Sequence, residues 1–187
     1  MLARMSRLIR THVEVYVFRR RAGRVEFLCL QRSPGRSLPG AWQPVTGKVR
    51  RGEHADRAAA REVREETGLE PRRWWALESV TIYFDATADA IRALPLFAAE
   101  VGARERVTLS REHVACAWLP ARAAGNRYVW EAQRRGLAAV RAEVFARPRL
   151  ARALELGRTA DRSARRSKPT APRAPSSRTR APRPRAG

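Results

Sequence analysis

Lysine is nearly missing from this chain. Of its 39 basic residues only Lys48 and Lys168 are lysines, and the rest are arginine. That imbalance, beside abundant alanine, follows from coding bias as readily as from a selected anion-binding surface. The net charge of +21 therefore does not by itself assign a nucleic-acid partner. Cysteine is equally scarce. Cys29 and Cys116 fit no metal-ligand spacing and lie in apolar, strand-like runs, which argues for two buried thiols in a reducing compartment and against a disulfide. No apolar run approaches the roughly 18 residues a membrane span needs. MLARMSRLIR is too broken by arginine for a signal sequence. His54 and His113 are expected bystanders, since no second histidine completes a ligand pair. Internal repeats are absent. These absences leave a soluble, cytoplasmic, single-domain protein as the expectation, with no membrane partner.

What is present reads as alternating strands and helices. Residues 13–18 (VEVYVF) and 25–31 form two β-branched and aromatic strands joined by an Ala-Gly turn. A Pro/Gly loop over 33–40 leads to a short extended stretch, WQPVTG, at 42–47. A helix is expected over 54–67, with Ala55, Ala59 and Val63 as a narrow apolar stripe for packing on a sheet. Strands follow over 74–84 and 90–101, joined by an acidic turn at 85–89, and the alternation Val80, Ile82, Phe84 predicts one buried face. A polar loop, a strand over 114–119 ending at Pro120, and a helix over 128–145 complete a domain assigned to residues 1–150. Beyond it, 157–187 hold ten basic residues against one acid with almost nothing apolar, which predicts a disordered basic tail over 151–187. That tail is either a nonspecific contact for RNA or a solubilising extension.

The chemistry concentrates between Gly47 and Leu69, GKVRRGEHADRAAAREVREETGL. Glu62, Glu65 and Glu66 share one helical face at i, i+3 and i+4, where like charges cost roughly 0.2–0.5 kcal/mol per pair. Gly68 marks the helix end, so these acids also oppose the negative end of the helix dipole, at roughly 0.3–1 kcal/mol each if exposed. A helix selected for stability alone would place cations there. Something cationic is expected on this face.

Gly47, Glu53, Arg61, Glu62, Val63, Glu65, Glu66, Gly68 and Leu69 match every fixed position of the Nudix box. The order of strands and helices is also similar to that family's fold, an α/β/α sandwich around a mixed sheet. The resemblance implies hydrolysis of a nucleoside diphosphate linked to another group, with Mg²⁺ or Mn²⁺ as cofactor. Glu62, Glu65, Glu66 and the Gly47 carbonyl then become the implied metal ligands, and hard divalent cations do favour such oxygen donors. Arg61, four residues before Glu65, would orient that carboxylate and could also hold Glu53; for that pair a purely structural ion pair is the plainer reading. Glu112, in SREHVACAWLP, is a candidate general base from outside the box. Trp42 is either a base-stacking platform or a core plug. Tyr83 is either a base contact or a strand residue, and Arg32 either a phosphate contact or a surface ion pair.

Substrate choice is less legible. Pro44-Val45-Thr46-Gly47 replaces the Pro-Gly-Gly that precedes many boxes. WQPVTGKV and EHVACAWLP resemble the branch that includes dihydroneopterin triphosphate and nucleoside triphosphate pyrophosphatases. For the ADP-ribose pattern, Pro71 comes too early and Pro95 too late, and the signatures of NADH- and coenzyme-A-cleaving members are absent. The expected substrate is a nucleoside or pterin triphosphate. The alternatives are a dinucleoside polyphosphate hydrolase and an RNA- or nucleotide-binding protein on the same scaffold.

Overall fold

Burial on both faces of one strand organises the core. In β2 (His12–Arg21), Val13, Val15 and Val17 face one layer, and Tyr16 and Phe18 face the other, all at most 1% exposed. A strand apolar on both faces belongs inside a sheet covered on both sides. The computed structural model, which describes residues 7–9 and 11–157, places β2 there. The expected basic tail from residue 158 onward lies outside the described residues.

One edge of β2 runs parallel to β7 (Ala90–Val101). Its other edge takes β5 (Val45–Lys48) at one end and β3 (Arg24–Arg32) at the other, both antiparallel. The β2–β3 hairpin turns through Ala22 and Gly23, both at positive φ, a backbone pair that matches strand twist. β4 (Trp42–Gln43) and β8 (His113–Leu119) pair with β3. β6 (Arg73–Asp85) lies outside β7, β9 (Glu155–Leu156) pairs with β6, and β1 (Arg7–Ile9) runs parallel to the start of β7. Among the described residues these strands make one mixed sheet.

Helix α1 (Ala55–Thr67) covers the valine face of β2 through Ala58, Ala59, Ala60 and Val63. The opposite face carries α2 (Ala121–Arg127), α3 (Glu131–Val140) and a π-helical turn (Arg141–Phe145), with Tyr128, Leu137 and Val140 packed on Tyr16, Phe18 and Trp75. The result is the expected α/β/α sandwich. The adjacent tryptophans 74 and 75 divide between its two cores, as strand alternation requires. None of the described helices is long and apolar enough to cross a membrane.

Four expectations need correction. Val80, Ile82 and Phe84 are exposed, Ile82 by 64%. A register shift between Ala76 and Val80 carries the end of β6 out along the sheet edge, away from the area α1 covers. The expected helix over 128–145 starts at Glu131, because Tyr128 is buried in a bridge to Trp42, and its last turn is π-helical. The fold also continues beyond 150, through α4 (Pro148–Leu154) and β9, whose residues pair with Trp74 and Trp75. Finally, only Cys29 is fully buried; Cys116 is half-buried. The two thiols serve opposite cores, Cys29 packing with Tyr16 and Phe18 and Cys116 against the valine side.

Gly136 lies inside α3 for a packing reason. A Cβ there would come within 2.1 Å of the Tyr16 hydroxyl. That hydroxyl contacts both Glu14 Oε1 and the Gln133 carbonyl, the latter at 2.9 Å. It has one proton. When Tyr16 donates to Gln133, only a protonated Glu14 can complete the network by donating to Tyr16. Burial pushes the Glu14 carboxyl up to about 7, with the Tyr16 hydrogen bond opposing. A raised acid favours folding in its protonated form, so that stabilisation is complete below about 4.5 and is lost as pH rises through about 7. Urea unfolding across this range should show the wild type losing up to roughly 3 kcal/mol more than Glu14→Gln. Parallel profiles for the two proteins would refute the assignment.

Candidate active site

The acids of α1 are organised by one arginine. Arg61, its side chain 13% exposed, clamps Glu53 with Nε at 2.9 Å and Nη2 at 3.0 Å. Its Nη1 reaches Glu62 at 2.7 Å and Glu65 at 2.9 Å, and Nη2 also donates to the Lys48 carbonyl at 2.8 Å. The planar guanidinium with its five donors suits this role, whereas an ammonium could not span the same set. These bonds lower the Glu53 carboxyl from its ordinary value, the Arg61 hydrogen bond being the largest cause. Arg50 adds a contact to Glu65 at 3.1 Å.

The end of α1 is trimmed for its charge. Gly68 adopts φ +68°, and its N–H bonds the Arg64 carbonyl at 2.9 Å. The next orphan carbonyls, of Glu66 and Thr67, accept from the backbone N–H groups of Ser110 and Thr108 at 3.2 and 2.8 Å. The loop between β7 and β8 thereby caps the helix and brings Glu112 beside it.

Glu66 is the outlier. It is 4% exposed, and its Oε2 has no hydrogen-bond partner among the described residues. Burial first, then the charges of Glu62 and Glu112, push its carboxyl up to about 9, against a bond from the Thr46 backbone N–H. Glu62 is raised for similar reasons, burial dominating while Arg61 opposes. A Cβ on Gly47 would fall 1.9 Å from the Glu62 carboxyl carbon, so only glycine lets this carboxylate lie against the strand backbone.

A cleft of about 900 Å³ opens over these groups. It brings together Arg32, Trp42, Gly47, Arg61, Glu62, Glu65, Glu66, Tyr83 and Glu112; of the candidate site residues, Glu53 stays outside, behind Arg61. Glu112 is 49% exposed and pairs with Arg36. Arg32 is tied to Ser37 and Gln43, with Nη1 to Gln43 Oε1 at 3.0 Å. Trp42 packs against the aromatic core, its ring carries the Arg127 guanidinium at 4.4 Å, and it lines the cleft. His54 and His113 do not line it.

Several lining residues had not been singled out. His12, Arg36, Lys48 and Arg50 add cationic or titratable groups, and Leu38, Val129 and Trp130 add exposed apolar surface. Trp130 is 54% exposed, which is unusual enough for so large a ring to have been a signal, but exposure is not readable from sequence.

Three side chains of the acidic, histidine or cysteine type do not converge on one point among the described residues, because Arg61 Nη1 lies between Glu62 and Glu65. The donor set still suits a hard divalent cation. It offers clustered carboxylates, a glycine backbone under one of them, and an orphaned buried oxygen on Glu66.

No curated protein matches in sequence. Among solved structures, an Ap4A hydrolase from C. elegans is similar at 24% identity and TM-score 0.63, over 74% of this chain and 99% of that one. The dihydroneopterin triphosphate pyrophosphohydrolase of E. coli is similar at 23% identity and TM-score 0.57, over 72% and 95%. The NUDIX domain of Shewanella oneidensis NrtR, solved with ADP ribose, is similar at 15% identity and TM-score 0.61, over 75% and 90%. Likeness at these identities speaks for the fold. The family model for the NUDIX domain matches residues 9–140, spanning both the strand framework and the acidic helix, and the chain belongs to the NUDIX family of hydrolases.

Proposed function

We propose that the chain hydrolyses the pyrophosphate linkage of a triphosphate-bearing nucleoside or pterin, with Mg²⁺ or Mn²⁺. The observation that carries this reading is the buried, unpartnered Glu66 oxygen at a cleft that also holds Glu62, Glu65 and Glu112. Glu62, Glu65, Glu66 and the Gly47 carbonyl would hold the metal. Such an ion neutralises a pyrophosphate and acidifies a bound water. The protein's own groups do the rest. Arg32, Arg36, Lys48 and Arg50 receive the phosphate oxygens, Arg61 keeps the carboxylates aligned, and Glu112 takes the proton of the attacking water. Trp42, Tyr83 and Trp130 offer ring faces for the base or pterin.

Aromatic surface on two separate elements, Tyr83 on β6 and Trp130 before α3, also favours a second reading, a dinucleoside polyphosphate with one base on each. Identifying the products from a panel of nucleoside triphosphates, pterin triphosphate and dinucleoside polyphosphates separates the two. Turnover of no member would refute both.

Glu66→Gln is expected to lower kcat by at least about a hundredfold while thermal unfolding still shows a folded protein. Retained turnover would remove Glu66 from the site. Gly47→Ala displaces Glu62 and should cost about ten- to a hundredfold in kcat/KM. Trp130→Ala should raise KM about tenfold with kcat little changed, since stacking is worth roughly 1–3 kcal/mol per base, and Trp130→Phe should restore most of it.

A further inference from the structure

His12, the first residue of β2, lines the cleft, and its ring is held from behind by a chain of polar contacts. Its Nδ1 lies 2.8 Å from the Thr11 hydroxyl. That hydroxyl accepts from Arg92 Nη1 at 3.0 Å, and Arg92 Nε donates to Asp85 at 2.7 Å. Asp85 in turn accepts the backbone N–H groups of Thr87 and Ala88 at 3.1 and 3.2 Å. The β6–β7 turn thereby reaches His12 through Arg92 and Thr11.

These contacts decide which ring nitrogen carries the proton. A guanidinium only donates, so Thr11 Oγ1 is the acceptor toward Arg92. The hydroxyl has one proton of its own, and among the described residues the acceptor it contacts is His12 Nδ1. An Nδ1 that accepts leaves the ring proton on Nε2. Burial first, then the charges of Lys48 and Arg92, lower the proton affinity of the ring from its ordinary value, which favours the neutral form. Among the described residues that Nε2–H has no acceptor. Its neighbours locate what it can meet. On one edge of β2, His12 stands opposite Lys48, which also lines the cleft. Beyond the other edge, Arg92 of β7 pairs with Tyr83 of β6, a further lining residue. The donor therefore stands between a cation suited to phosphate and a ring face suited to a base.

We propose that His12 is a specificity-determining residue, donating its Nε2–H to a hydroxyl oxygen in the segment that joins the substrate's ring to its phosphates. In a nucleoside that segment is the sugar, and in a pterin triphosphate it is the hydroxylated side chain. A phosphate oxygen fits less well, since an uncharged donor adds little beside the Lys48 ammonium. Thr11, Arg92 and Asp85 are positioning residues that fix the tautomer. This inference deepens the hydrolytic reading and rests on it for the occupant of the cleft.

Nitrogen-15 NMR of the full-length chain reads the tautomer directly. The expected state is a protonated Nε2 and a bare Nδ1, giving way to a mixture in Thr11→Val; a protonated Nδ1 in the wild type would overturn the proposal. Without divalent metal, at least one of ATP, GTP and pterin triphosphate should shift the Nε2 resonance. No shift with any of them would also overturn it, as would equal shifts from a nucleotide and its 2′,3′-dideoxy analogue. In turnover, His12→Ala should raise KM about five- to tenfold with kcat little changed. His12→Gln, whose amide N–H can replace Nε2–H, should recover most of that loss. On a 2′,3′-dideoxy substrate His12→Ala and the wild type should match, and an equal penalty on both substrates would reduce His12 to a structural part. A hydroxyl-dependent shift without any turnover would refute the hydrolytic reading while upholding the contact, whereas turnover without the shift would refute the contact alone.

Discussion

Four acceptors on three segments depend on the Arg61 guanidinium: Glu53 before α1, Glu62 and Glu65 on it, and the Lys48 carbonyl of β5. Without that cation, the clustered carboxylates would repel one another at the helix end least able to tolerate them. With it, the acids stand at defined positions. The same bonds tie the strand that carries Gly47 to the helix that carries Glu62, so the backbone carbonyl and the carboxylates belong to one rigid unit.

Glu66 stands apart because Arg61 does not reach it. Its neighbours are the Thr46 amide and the charges of Glu62 and Glu112, and burial raises its proton affinity far more than these neighbours relieve it. Such a group is costly as a structural element, since an unsatisfied buried carboxyl oxygen loses solvation with nothing in return. The loop that caps α1 supports the site in two ways, by occupying the helix carbonyls and by delivering Glu112 and, through Arg36, a further cation.

The two cores have different chemistry, and the difference places function. The α1 side is built mainly from valine, alanine and leucine, and its small helix residues Ala58, Ala59 and Ala60 let α1 lie close to the sheet and hold its acids near β5. The α3 side is aromatic, and it carries Glu14 and Tyr16 in a network that ends on the backbone of Gln133, whose residue also lines the cleft. The cleft thus sits where the ends of both layers meet, with carboxylates and basic side chains from one side and ring faces from the other.

Much of this was legible in the chain before folding. The strand and helix alternation, the apolar stripe of α1, its glycine stop, and the acid spacing all follow from local period and backbone preference, which the sequence carries directly. Tertiary structure alone decided the rest, because it turns on which edges meet. The β3–β8 register sets Arg32 opposite His113 and so brings Glu112 to the box, while the Trp42–Tyr128 bridge draws Val129 and Trp130 to the mouth of the cleft. Period-two alternation in Val80, Ile82 and Phe84 marked a face correctly as apolar, yet their place at the sheet edge, beyond the reach of α1, left that face in solvent. Likewise, residues 148–156 carry too weak a pattern to announce themselves, and only pairing with Trp74 and Trp75 makes them part of the fold.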